Sequence, residues 1–162
     1  GRVDVGTDGG FTASSADTNV TLNIDPGVII FGGTGQSWLA VNRGNRINAV
    51  GTATQPIIFT SRDNVLGLNS DSSQGQWGGV VVLGRAPISA CPGTTVSGTP
   101  ECQAQVEGTN AFYGGNQRAD NSGVLKYVRV QHSGFQILPS NELNGITLAG
   151  VGTGTAIDFV QV

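Results

Sequence analysis

A single histidine, two cysteines and eleven carboxylates carry the reactive chemistry of this sequence. His132 stands in Gln131-His132-Ser133-Gly134, directly after an apolar run. A histidine beside a serine invites a reading as base and nucleophile. Adjacent residues on a strand point to opposite faces, so these two side chains cannot share a proton. His132 therefore reads as a turn residue. Arg62-Asp63 reads as a local hydrogen-bonding device in the turn after Phe59. The eight Asp and three Glu are scattered, and no two are adjacent or alternate along a predicted strand. That leaves no paired-carboxylate device for acid–base work. Gly67–Gly75 (GLNSDSSQG) has the composition of a calcium loop but lacks alternating acidic ligands and a bidentate Glu. Two cysteines and one histidine cannot complete a tetrahedral zinc site. No phosphate-binding loop, dinucleotide fingerprint, HExxH or GxSxG occurs. The expectation is no catalytic residue, no metal and no cofactor in this chain.

Binding chemistry has more to work with. Trp38, Trp77, Phe112 and Tyr113 offer flat faces on which pyranose rings stack. The same residues are equally explained as packing that seals the corners of a fold. Exposure decides between the two. Cys91 and Cys102 lie in CPGTTVSGTPEC, with ten residues between them. They read as a disulfide rather than free thiols. Closing that loop removes roughly 2–3 kcal/mol of unfolded-state entropy. It also implies an extracytoplasmic, oxidising compartment.

The elements that must position these groups are short strands. Val20–Ile24, Val28–Phe31, Ser37–Val41, Arg46–Val50 and Ile57–Thr60 are apolar runs separated by Gly, Pro, Asn and Asp. No segment shows a helical apolar stripe. An internal repeat follows. Gly79-Val80-Val81-Val82-Leu83-Gly84 is echoed by Gly145-Ile146-Thr147-Leu148-Ala149-Gly150. Leu125–Val130 is echoed by Ile157–Val162, position by position: aliphatic, charged, aromatic, Val, polar, Val. Strands that recur in this order bury an inner face only by stacking, so the pattern is that of a solenoid. The repeat sets Lys126 one coil from Asp158, as an exposed ion pair worth ~0–1 kcal/mol. Charged residues make up only 12% of the chain and the net charge is −3. Nothing basic enough for nucleic acid is present, and no apolar run is long enough to span a membrane.

Three segments carry a family resemblance: Ile24–Ile30 (IDPGVII), Arg46–Ser61 (RINAVGTATQPIIFTS) and Gln76–Gly84 (QWGGVVVLG). Over roughly Val20 to Val162 the chain resembles the right-handed parallel β-helix proteins of Gram-negative bacteria. It is more closely similar to secreted or surface-attached bacterial proteins with a pectate-lyase-like solenoid. The resemblance implies the architecture and leaves the activity open, because lyases, hydrolases, adhesins and structural proteins share this fold. Its lyases need clustered acidic calcium ligands and a basic residue, and its hydrolases need carboxylate pairs on successive coils. The sequence pattern shows neither.

The expected fold is all-β: a right-handed, single-stranded parallel β-helix of five or six coils, in one domain over residues 1–162. Residues 1–19 are a loosely structured lead-in or cap, with an edge strand near Phe11. Residues 86–123 are one long disulfide-containing loop excursion, too long for a turn and a place to look for function. Val162 falls inside a strand motif, so the solenoid is expected to be part of a longer one or to stack on another molecule. Val80, Val82, Val128, Val130, Ile146 and Leu148 should point inward. The expected function is an extracellular structural, adhesive or assembly-forming solenoid, secreted or at the bacterial cell surface, that self-associates through open ends. The alternative is a carbohydrate-binding or polysaccharide-cleaving module, a lyase or glycoside hydrolase. Two carboxylates converging in a groove beside an exposed aromatic favour the sugar reading. Flat polar faces with bare end strands favour assembly.

Overall fold

The computed structural model describes residues 1–139 and 141–162. In chain order the elements are β1 (Arg2–Val5), β2 (Thr21–Ile24), β3 (Ile29–Gly32), β4 (Trp38–Val41), β5 (Arg46–Val50) and β6 (Ile57–Ser61). A single helical turn, α1 (Arg62–Val65), precedes β7 (Gly79–Leu83). Then come β8 (Ala104–Gln105), β9 (Phe112–Tyr113), β10 (Gly123–Val130), β11 (Gln136–Leu138), β12 (Asn141–Glu142), β13 (Ile146–Ala149) and β14 (Ala156–Gln161).

Strands stack in parallel on three sides. The first side is β1-β4-β7-β13. The other two share one curled sheet. The first half of β10 pairs with β5 and its second half with β6. Along its other edge, β14 follows both halves. The corner between the halves falls at Tyr127 in β10 and at Phe159 in β14, each with a φ of 51°. Bulky residues rarely occupy that left-handed region. Here their rings stack with centroids 4.6 Å apart and planes 7° apart, which offsets part of the strain.

The solenoid is four strands deep on its first side, not the five or six coils expected. Two connections consume the missing chain: residues 84–122, and residues 131–145 with the antiparallel hairpin β11–β12. The edge strand expected near Phe11 lies instead at Arg2–Val5. There Val3 and Val5 extend the columns of Leu39 and Val41.

Two cores result. Inside the coils pack Val41, Ile47, Ile57, Phe59, Val80, Val82, Leu125, Val128 and their neighbours. Each fully buried aliphatic side chain contributes roughly 1.5–3 kcal/mol. A second core lies on the outer face of the first side: Trp38, Ala40, Val81, Leu83 and Ala149 pack against Val106, Ala111 and Leu143. Both faces of β7 are therefore covered, and all of its residues are buried. Of the six residues expected inward, Val80, Val82, Val128 and Val130 are buried and Ile146 is half-buried. Leu148 shares the column of Val82 but is 43% exposed, because β13 is the outermost strand of its side.

Residues 6–20 are tied to the coils by buried polar groups. Arg43 forks onto Asp8 with two bonds of 2.7 Å. Arg85 forks onto Asp17 at 2.8 and 2.9 Å, and also donates to the carbonyls of Gly9 and Gly10. Asn45 accepts from the Val20 amide and the Thr18 hydroxyl and donates to the Thr7 carbonyl. No helix among the described residues is long and apolar enough to cross a membrane.

Candidate functional site

A groove is built where the long excursion folds back on the end of the first side. It encloses about 540 Å³ and is lined by Pro87–Ala90, Gln105–Glu107, Tyr113, Glu142, Asn144 and Thr147–Gly150. Three stretches far apart in sequence meet there: residues 87–90, the hairpin of residues 105–113, and residues 142–150.

The backbone sets the wall. Where the excursion returns, the Gly114 amide donates to the Gly84 carbonyl at 2.8 Å. Gly114 has a φ of +100°, and a side chain there would strike the Cys102 carbonyl and Ile88. Only glycine serves at such a contact. The Cys91–Cys102 disulfide, with Cα atoms 4.9 Å apart, sits against the same wall. The Cys102 sulfur lies 3.4 Å from the Ile88 carbonyl oxygen. The hairpin β8–β9 pairs Ala104 with Tyr113 and Gln105 with Phe112, and the Val106 amide closes it on the Ala111 carbonyl at 2.8 Å. Val106 and Ala111 enter the second core, so Glu107 is left on the exposed turn. Across the groove Glu142 is also exposed and accepts from the Gln136 side-chain amide at 3.1 Å. Tyr113 lines the same groove, half-buried and packed on the second core. No Lys, Arg or His lines the groove.

The four aromatic candidates are not assembled into one platform. Trp38 is 8% exposed, in the second core, with the Arg2 guanidinium 4.9 Å above its ring. Trp77 is 2% exposed and donates its indole N–H to the Gln131 carbonyl at 2.8 Å. Both also border an apolar hollow of about 260 Å³ beside Phe31. Phe112 is partly exposed under the Arg43 guanidinium, 6.0 Å away. Tyr113 alone of the four lines the groove.

The remaining candidates lie in turns or on exposed strands away from the groove. His132 donates from Nδ1 to the Ser73 carbonyl at 2.8 Å, and Asn69 donates to its Nε2 at 2.7 Å. Both ring nitrogens are used to hold a turn. Arg62 and Asp63 begin α1, which the Ser61 hydroxyl caps by accepting from the Asn64 amide at 3.0 Å. Lys126 meets Asp158 at 3.3 Å on neighbouring strands, as the repeat requires, and both are substantially exposed. Among the described residues no three His, Cys, Asp or Glu side chains are grouped to hold a metal.

Residues 12–162 match the model of the pectate-lyase like beta helix domain. The chain belongs to that family. No curated protein and no solved structure matches it.

Sequence reasoning found this pectate-lyase-like β-helix and its disulfide but missed the groove. Glu107 and Glu142 are 35 positions apart with no shared motif. One signal was available. The repeat sets Val80–Leu83 beside Ile146–Ala149, so the excursion starts next to the last strand of the first side.

Proposed function

We propose that this chain is an extracytoplasmic, adhesive β-solenoid without catalysis of its own, and that its groove binds a polysaccharide. The observation that carries the reading is the convergence of Glu107, Glu142 and Tyr113 with the amides of Gln105 and Asn144 in one groove. Its volume suits a short oligosaccharide. Carboxylates and amides match sugar hydroxyls, and a half-exposed phenol ring offers a stacking face. The disulfide supports an oxidising compartment, secreted or at a cell surface. Against catalysis, a glycosidase needs one carboxylic acid kept protonated by an apolar pocket, and both glutamates are exposed. A lyase needs a base, and the lining holds no Lys, Arg or His. We read residues 1–162 as one domain, with residues 1–19 as a cap on the first coil. The winding is read as right-handed, the hand that parallel crossovers take in nearly all proteins.

The test is calorimetric titration with a panel of oligosaccharides. Tyr113→Ala should weaken binding about tenfold or more with the melting transition still cooperative, and no new reducing ends should appear in the mixture. Failure of every glycan to bind would sink the reading.

A second reading has its own observation. Leu148, Ile157 and Phe159 on the last strands, and Val3, Ile29 and Phe31 on the first, are large apolar side chains 41–62% exposed. Such edges accept a further coil or a second copy of the chain. Self-association should then rise with concentration and weaken in Phe159→Lys. A monomer at all concentrations removes self-association.

A further inference from the structure

The charge in the groove narrows its ligand, on the premise that the groove binds glycans. Glu107 and Glu142 both lie on its lining, and among the described residues neither forms an ion pair. The arginines of neighbouring elements are already used. Arg43 is committed to Asp8, Arg85 to Asp17, and Arg2 to Asp4 and the Asn110 side chain. The chain as a whole, these two glutamates included, carries a net charge of −3. A ligand entering the groove therefore meets two uncompensated negative charges and no positive one.

A uronic-acid chain carries one carboxylate per sugar and is repelled there. A calcium ion bridging it to the protein would need several oxygen ligands, and the groove supplies two carboxylates without a third beside them. A sugar bearing an ammonium group meets the opposite situation. Its charge is attracted by both glutamates, its three N–H donors suit carboxylate acceptors, and its ring stacks on Tyr113. Gln105 and Asn144 remain for the neighbouring hydroxyls. We propose that this groove selects amino-sugar glycans with free ammonium groups and excludes uronic-acid chains.

The test compares three oligosaccharides of equal length: glucosamine oligomers, their N-acetylated counterparts, and oligogalacturonates. Each is titrated into the whole chain at low salt and about pH 6, where an ordinary amine is protonated and a glutamate ionised. Each titration is run with a chelator and again with calcium. The amine form should bind about fivefold more tightly than the acetylated form, since the contacts are exposed. That advantage should shrink as salt is raised. Oligogalacturonate should not bind in either condition. The double variant Glu107→Gln, Glu142→Gln should lose the amine advantage, so that the ratio of the two glucosamine affinities falls to about one and no longer depends on salt. Oligogalacturonate binding that Tyr113→Ala abolishes, with or without calcium, overturns the charge selection while leaving glycan binding intact. An amine advantage that survives in the double variant overturns it as well. If none of the three binds, the glycan-binding reading falls and takes this inference with it.

Discussion

Asp17 and Arg85 show how single side chains hold this solenoid together. The Asp17 side chain is 6% exposed and that of Arg85 is 4% exposed. The hydrogen bonds from Arg85, helped by its charge and by Ser14, hold the Asp17 carboxyl below its ordinary 3.8, against the burial that would raise it. A carboxyl whose folded pKa is depressed stabilises the fold above its unfolded pKa. That contribution is lost as pH falls through the folded value. Asp17→Asn removes the charge facing Arg85 but keeps an acceptor, and Arg85 retains the Gly9 and Gly10 carbonyls, so the cost is about 1–3 kcal/mol at pH 7. Urea melts between about pH 7 and pH 2 should show wild type and variant converging below about pH 4. Curves that stay parallel would show that the pair contributes nothing pH-dependent. Gly123 is a second such point. Its φ is +112°, and a Cβ would meet the Ile47 carbonyl oxygen and backbone carbon. Gly123→Ala should cost about 3 kcal/mol or more, because neither the dihedral nor the neighbouring backbone can give. A melting temperature within a degree or two of wild type would contradict this packing.

At the scale of elements, register is what the sequence carried best. The echo of Gly79–Gly84 in Gly145–Gly150 is met strand to strand, Val80 on Ile146 through Leu83 on Ala149. The echo of Leu125–Val130 is met by the Lys126–Asp158 pair and the Tyr127–Phe159 stack. These were legible because each coil repeats one physical problem, and the same residue types solve it at the same column. Leu148 stands in the inward column yet is exposed, because column membership sets which way a side chain points, while burial also needs a neighbour above. The hairpins β8–β9 and β11–β12 were not legible, since two or three residues carry too little periodicity to be seen, and β1 was not because Arg2 and Asp4 interrupt its valines. Thr147 shows a column broken on one level. It pairs with buried Val81, and its hydroxyl is buried without a hydrogen-bond partner. Thr147→Val should therefore raise stability by about 1 kcal/mol, read as a shift in the urea midpoint at unchanged slope. A lower midpoint would mean that the hydroxyl has found a partner.

At the scale of the molecule, one strand serves two cores. β7 faces the coil interior with Val80 and Val82 and the outer core with Val81 and Leu83. Composition shows that apolar residues abound and cannot show that they fill two separate interiors. The groove was illegible for the same reason, because it exists only where the excursion lies against the last strand of the first side. The Cys91–Cys102 bridge ties off the tip of that excursion, and Pro92–Thr94 and Val96–Gly98 within it are exposed. Exposed tips of this kind are where proteases cut. A cut inside the bridged loop does not release either half. The N-terminal piece keeps β1 to β7, the C-terminal piece keeps β8 to β14, and both β7–β13 and β5–β10 pairings still cross between them. Limited proteolysis should therefore yield a product that runs as one species without reductant and as two with it. Two fragments without reductant would place the cut outside the bridged loop. The bridge thus makes of this chain a covalently retained two-piece protein, able to lose a peptide bond at its most accessible point without losing either half.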